Sequence, residues 1–416
     1  MEAKLGLPSR IVGGVTRSVS DRITSLLLPA SPKTAPGRVE ISEILNILVV
    51  RPDEIGDVIM MSPFLRELKR NLPHTHISLV VKPAVRNLVE HCPHVDEILT
   101  FDWKSSTYWP AFRNYARASD FAKRELKSRH FDLAIVPRWD ADWYYSSFLA
   151  YFSAARYRLG YSEAVSAEKR KHNRGFNGLF THTVYDDLPK HEVERSLDLL
   201  GYLGFSILSD ALELWTTPED EAHAAQVLED HSVRPGEALI AFGAGGRHPY
   251  KMWPLENFAE LAASISKEYP CRILAAVDPS EVELGMKLQK RVGSSLIDVT
   301  GRSTLRQFAA LLKRCQLYVG NDSEPKHLAA AAGVPIVELS WSERSAILVP
   351  SSIVNRFKPW KAPHRILTVE HAIPPCSGAC TARESHCIRG ITVDIAKEAV
   401  LEQLRKVTPL FNGSSW

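Results

Sequence analysis

One pattern constrains this chain more than any other: short apolar runs alternate with helical stretches, and the alternation occurs twice. The first run has strands at Ile44–Val50, Ile77–Val81, Val95–Phe101 and Phe131–Val136, each bounded by Pro, Asp or His. Helical stretches at Val58–Asn71, Val85–His91 and Ala111–Arg129 separate them. The second run has strands at Ala238–Phe242, Arg272–Val277, Leu296–Val299, Leu317–Val319 and Pro335–Leu339. Its helices lie at Leu255–Tyr269, Glu281–Val292, Leu305–Cys315 and Glu324–Ala332. Such alternation means βαβ units and parallel sheets. The expected fold is α/β, with two doubly wound halves joined through an acidic helix at Pro218–His231. Ligands of such sheets bind outside the carboxyl ends of strands, and two facing halves set those ends across a cleft.

At 416 residues the chain is too long for one ordinary core. The reading divides it into an extension (1–40), a first half (41–210), a second half (211–375) and a cysteine loop with a terminal helix (376–416). The first alternation blurs after Arg138, in a segment whose aromatics (Trp139, Trp143, Tyr144, Tyr145, Phe148, Tyr151) read as core. His191–Leu203 closes the first half, and Val393–Val407 is the last helix. A net charge of +3 without dense Lys/Arg runs gives no argument for nucleic acid. Apolar runs stop short of membrane-spanning length, and residues 1–30 do not read as a signal peptide, so a cytoplasmic location is expected. Ile11, Val12, Val15, Val19, Ile23, Leu26 and Leu27 recur at helical spacing among Arg10, Arg17 and Arg22. That helix suits peripheral contact with an anionic inner-membrane surface, or docking on the protein's own body.

Cys92, Cys271 and Cys315 read as core thiols. Cys376, Cys380 and Cys387 share one loop with the spacing C-x3-C-x6-C, with His386 beside them and His371 upstream. This is either a zinc ligand set or a redox-silent or locally bridged loop.

Three strand ends carry polar corners. The first is Arg51-Pro-Asp-Glu-Ile-Gly-Asp-Val58, whose single glycine, Gly56, argues against the G-x-G-x-x-G of NAD or FAD enzymes. Asp57 is placed as a general base would be, although an aspartate here is also an ordinary helix N-cap. The second is Phe242-Gly-Ala-Gly-Gly-Arg-His-Pro-Tyr-Lys-Met-Trp-Pro254. Its glycines, Gly245 and Gly246 among them, leave N–H groups to cradle oxyanions, and Arg247 and Lys251 can neutralise a diphosphate. A solvated loop is the other reading. The third runs from Tyr318 through Asn321, Asp322 and Ser323 into an alanine-rich helix that stops at Gly333. Such a helix start is an anion site, but Glu324 places a carboxylate there, so a plain strand-to-helix corner also fits.

Ile47 to Leu68, Lys251-Met-Trp-Pro254 with Phe258-Ala-Glu-Leu261, and Gly320-Asn-Asp-Ser-x-x-x-His-Leu-Ala-Ala330 together resemble a known family. It is the ADP-heptose:lipopolysaccharide heptosyltransferases, glycosyltransferase family 9. The loop from Cys376 into Cys387-Ile-Arg-Gly-Ile391 is similar too, and the likeness runs from Ile44 to Leu404. It implies a GT-B fold of two Rossmann-like domains facing across a cleft, inversion at the sugar carbon and no essential metal. It implies an acceptor on the first domain and a nucleotide sugar on the second. By resemblance Asp57 is the base, Lys251 compensates charge on the donor diphosphate, and Asp322 faces the donor sugar. Ser323 is the helix-start residue at the phosphates, and His327 belongs to the same motif.

Two departures stand out: family members usually carry glycine at Glu324, and an apolar or small residue at Lys326. A glutamate about 4 Å from a diphosphate charge would cost roughly 4 kcal/mol at an effective dielectric near 20. Either Glu324 turns to solvent and pairs with Lys326, or it meets a hydroxyl of the donor sugar, or donor binding is weakened. The expected function is inverting transfer of a heptose or related sugar from a nucleoside-diphosphate donor, ADP-sugar favoured, to a lipopolysaccharide or other cell-surface glycan. No cofactor beyond that donor is implied. The alternatives are a nucleotide-sugar binding protein without transfer activity and another GT-B enzyme such as a sugar epimerase.

Overall fold

The computed structural model describes residues 37–103, 110–275, 281–349, 352–376 and 382–407. The amphipathic segment expected at 11–27 therefore lies outside the described residues. The first six strands are β1 (Asn46–Val50), β2 (His76–Val81), β3 (Glu97–Thr100), β4 (Leu133–Val136), β5 (Tyr157–Tyr161) and β6 (His182–Val184). They pair in parallel in the order β3-β2-β1-β4-β5-β6. The next six are β7 (Ala238–Gly243), β8 (Cys271–Ala275), β9 (Leu296–Asp298), β10 (Leu317–Asn321), β11 (Ile336–Glu343) and β12 (His364–Val369). They form a second parallel sheet in the order β12-β11-β10-β7-β8-β9.

This order decides where a ligand can sit. Each sheet begins at a central strand and winds outward in both directions. The order therefore reverses between β1 and β4, and again between β7 and β10. A crevice opens at the carboxyl ends of strands at such a switch point. Helices cover both faces, so central strands can be apolar on both sides. Ile47, Leu48, Val49 and Val50 of β1 are all fully buried. Each contributes roughly 1.5–3 kcal/mol of burial.

The structure adds β5, β6 and β12 to the expected strands. It also breaks the helix expected at Val58–Asn71 into Ile55–Met60 and Ser62–Asn71. Pro63 causes the break, since it has no N–H for the Ile59 carbonyl. The Ser62 hydroxyl donates to that carbonyl instead, at 2.7 Å. The expected Ala111–Arg129 helix ends at Phe121 and continues as π and 3-10 turns. The terminal helix, Val393–Val407, buries Ala396, Ala399, Val400 and Leu404 in the core of the second sheet. Cys92, Cys271 and Cys315 are buried, as core thiols should be. No helix among the described residues is long and apolar enough to cross a membrane.

Candidate active site

The corner after β1 is a network of buried charge. Arg51, only 3% exposed, sets its guanidinium 3.1 Å from Asp57 Oδ1 and 3.8 Å from Asp53 Oδ2. Arg138, from the end of β4, also pairs with Asp53, which is wholly buried. Thus the two strands that flank the first switch point each supply a cation. Asp57 lies within the Ile55–Met60 helix, whose N-cap is Glu54 with no side-chain capping bond. The capping reading of Asp57 is thereby corrected. Burial raises the affinity of Asp57 for a proton, Arg51 opposes it, and Asp53 adds to it. The result is a carboxyl held in place by one cation yet more basic than an ordinary aspartate.

The two corners of the second sheet are stapled together by Asn321. Fully buried at the end of β10, it donates from Nδ2 to the carbonyls of Ala244 (2.9 Å) and Gly245 (3.1 Å). Its Oδ1 accepts the Trp253 N–H at 2.9 Å. The loop that carries Lys251 is therefore fixed at both ends to the strand that carries Asp322. Lys251 Nζ lies 3.4 Å from Asp322 Oδ2, and Lys326 Nζ lies 2.5 Å from Oδ1. Burial works against the Asp322 charge, but Lys326 and Lys251 hold the carboxyl well below the usual carboxylate range.

Lys326 does not pair with Glu324, which corrects the sequence expectation. It is 1% exposed and bridges Asp322 to Glu338 on β11, 3.1 Å away. Burial pushes the Glu338 carboxyl up to about 7 against the pull of Lys326. Glu324 is half-buried, within the electrostatic reach of Glu54, Asp57 and Lys82 on the other half of the molecule. Burial pushes its carboxyl up to about 7; Glu54 and Asp57 add to the shift, while Lys82 and Arg247 oppose it. Arg247 was expected at a diphosphate, but in this structure its guanidinium lies 3.1 Å from Glu54 on the first half.

The remaining expected residues fall in the same place. The Gly246 N–H donates to Glu281 Oε1 at 3.1 Å, so a donor phosphate would have to displace that carboxylate. An added Cβ at Gly245 would lie 2.0 Å from Glu281 Oε2 and would push that carboxylate aside. The Ser323 hydroxyl donates to the Asn321 carbonyl at 3.3 Å. His327 is buried at the junction of the halves, and burial together with Lys326 and His191 depresses its pKa well below the usual histidine value. Its ring abuts Gly56, where an added Cβ would come within 2.7 Å of Cδ2. Behind it Arg356 pairs with Glu192 and, at 2.6 Å, with Asp140. The two switch points therefore face each other, with Asp57 on one side and the Lys251–Asp322 pair on the other.

With that geometry in hand, likeness to known proteins is decisive. The sequence profile of glycosyltransferase family 9 (heptosyltransferase) matches residues 121–350, more than half of the chain. The chain belongs to glycosyltransferase family 9. Lipooligosaccharide heptosyltransferase 2 of Haemophilus influenzae is 22% identical over 311 residues, covering 71% of this chain and 83% of the relative. A family 9 glycosyl transferase of Veillonella parvula superimposes with a TM-score of 0.70 at 23% identity, covering 87% of this chain and 98% of that one. The ADP-heptose lps heptosyltransferase II of E. coli gives 0.63 at 20% identity, covering 88% and 100%. The fold is GT-B and the protein is a glycosyltransferase. Neither the non-transferring binder nor the epimerase is favoured by these matches.

Sequence reasoning missed Arg138, Glu281, Glu338 and the stapling role of Asn321. A signal existed for Glu338: a charge inside the apolar run Pro335–Leu339 requires a buried partner, and Lys326 is the odd cation in an apolar helix.

Proposed function

We propose that this enzyme transfers a heptose-type sugar from an ADP-activated donor to a glycolipid acceptor of the lipopolysaccharide-core kind, with Asp57 as its base. The named activities of the Haemophilus and E. coli relatives support the substrate classes. One observation carries the reading: a basic carboxyl and a cation-backed corner face each other at two topological switch points, in contact through Gly56 and His327.

The donor diphosphate lies at the ends of β7 and β10, near Lys251, Ser323 and the start of the Pro325–Ala331 helix. The acceptor enters from the first half. Asp57 accepts the proton of the acceptor hydroxyl as its oxygen attacks the sugar carbon. The bond from that carbon to the diphosphate oxygen breaks, its electron pair leaves with the nucleoside diphosphate, and configuration inverts. Lys251 offsets the negative charge that grows on the leaving group, so it stabilises the transition state more than the ground state. Asp322, kept anionic by its two lysines, faces the donor sugar. Glu324, the residue just before the Pro325–Ala331 helix, meets a hydroxyl of that sugar. The segment at 11–27 holds the enzyme at the membrane that carries the acceptor; equal liposome flotation after deletion of residues 1–35 would count against this.

The reading is tested by nucleoside diphosphate release from ADP- and UDP-sugars with and without acceptor. Acceptor-dependent release with an ADP-sugar is expected. Release at the same rate without acceptor would contradict transfer.

A further inference from the structure

Outside the crevice, two cysteines and a histidine converge. Cys376 Sγ and Cys387 Sγ lie 3.7 and 3.5 Å from the same atom, His386 Nδ1, and all three donor atoms fall within 4.8 Å of one another. A tetrahedral zinc ion, with bonds of about 2.3 Å to sulfur and about 2.05 Å to nitrogen, sets its ligands about 3.6 Å (S to N) and about 3.8 Å (S to S) apart. The two sulfur-to-nitrogen separations match that tetrahedron, and the sulfur-to-sulfur separation is within 4.8 Å. The competing account is hydrogen bonding, with the Cys376 thiol donating to His386 Nδ1 and the Cys387 thiol to the Ile373 carbonyl at 4.0 Å, and the metal titration below separates the two. Both cysteines are buried, at 6% and 5% exposure, so the cluster is screened from water. The Ile373 N–H points to Cys387 Sγ at 3.4 Å, the kind of backbone donor that stabilises a thiolate ligand. His371, considered from sequence, is not in the cluster, and Cys380 lies outside the described residues.

The cluster is tied to the donor corner. Ser385, beside His386, donates its hydroxyl to the Met252 carbonyl at 2.6 Å. Just past Cys387, the Ile391 carbonyl accepts the Trp253 indole N–H at 2.8 Å. Met252 and Trp253 directly follow Lys251. The geometry points to a structural site for a thiolate-binding divalent cation of the zinc class, held by Cys376, His386 and Cys387, that braces the Lys251 loop. The ion stands apart from the reacting atoms. It orders the loop by linking the strand that ends at Val369 to the Cys387–Gly390 turn, and Lys251 inherits that order.

The test uses the full chain purified under reducing conditions. Its metal content is measured, the metal is stripped with a chelator, and the stripped protein is titrated with Co2+ and then Zn2+. The expected result is one equivalent of Co2+ with a sulfur-to-cobalt absorption band that Zn2+ abolishes. Zn2+ should also raise the melting temperature, as any ligand of the folded state does. His386→Gln, at a half-buried position, and Cys387→Ser should each weaken Co2+ binding by roughly tenfold to a hundredfold or more. Stripping should lower kcat and raise the KM for donor, because Lys251 loses its order, and Zn2+ should reverse both. Absence of the cobalt band, unchanged affinity in both variants, or a Cys376–Cys387 disulfide found by mass spectrometry in the reduced preparation would overturn the assignment.

Discussion

Gly56 and His327 touch across the crevice: a methyl group at Gly56 would lie 2.7 Å from His327 Cδ2. The halves of the enzyme meet where a side chain is missing. Alanine at Gly56 gains up to about 1 kcal/mol in helix propensity, but overpacking costs roughly 1–3 kcal/mol. Gly56→Ala is therefore expected to destabilise the protein in urea unfolding. Combining it with His327→Ala should recover part of the loss, because the two sites are coupled. A Gly56→Ala protein with wild-type stability would mean that the halves do not press together there.

Asn321 holds the donor loop through three hydrogen bonds. Asn321→Ala leaves the buried Trp253 N–H without its acceptor, at a cost of about 1–3 kcal/mol. Steady-state kinetics should show kcat falling together with a rise in KM for the donor, since the loosened loop carries Lys251 while Asp57 is untouched. An unchanged kcat and donor KM would contradict the stapling role.

Lys326 neutralises Asp322 and Glu338 together. Lys326→Met fits the volume but leaves the buried Glu338 without its cation and Asp322 with Lys251 alone, so a loss of roughly 3 kcal/mol is expected in chemical denaturation. Adding Glu338→Gln should restore part of it. If Lys326→Met alone were neutral, the triad would not contribute to the fold as described.

Glu324 gives a pH-dependent signature. Its folded pKa is raised from 4.5 to about 7, so its proton stabilises the fold at low pH and that contribution is lost as pH rises across this window. Glu324→Gln should match the wild type below the window. Above it the variant should be more stable, by on the order of 1 kcal/mol. Thermal melts at pH 4 and pH 8 decide this, and a gain confined to pH 4 would reverse the sign of the argument.

The central strands were legible because β1 and β7 are apolar on both faces and end at glycine, proline or acidic corners. The strands that sequence missed are weak for identifiable reasons. β5 carries Arg158 and Gly160, β6 has three residues, and β12 is an edge strand with two exposed residues at its start. The corners themselves were legible as short motifs, with Asp57, Lys251 and Asp322 at the expected strand ends. Their partners were not. Arg51 with Glu192, Arg247 with Glu54 and Asn321 with Gly245 are separated by long stretches of chain and meet only through the topology. Of the readings open for Glu324, its pairing with Lys326 failed because Lys326, two residues away, turns into the core toward Glu338.

The central claim is that Asp57 takes the acceptor proton. It is tested most directly by acceptor-dependent nucleoside diphosphate release from Asp57→Asn, with donor affinity measured in parallel by calorimetry. The account predicts a rate lowered by roughly 10²–10⁴-fold with donor affinity essentially unchanged. A folded Asp57→Asn enzyme that turns over at the wild-type rate would contradict it.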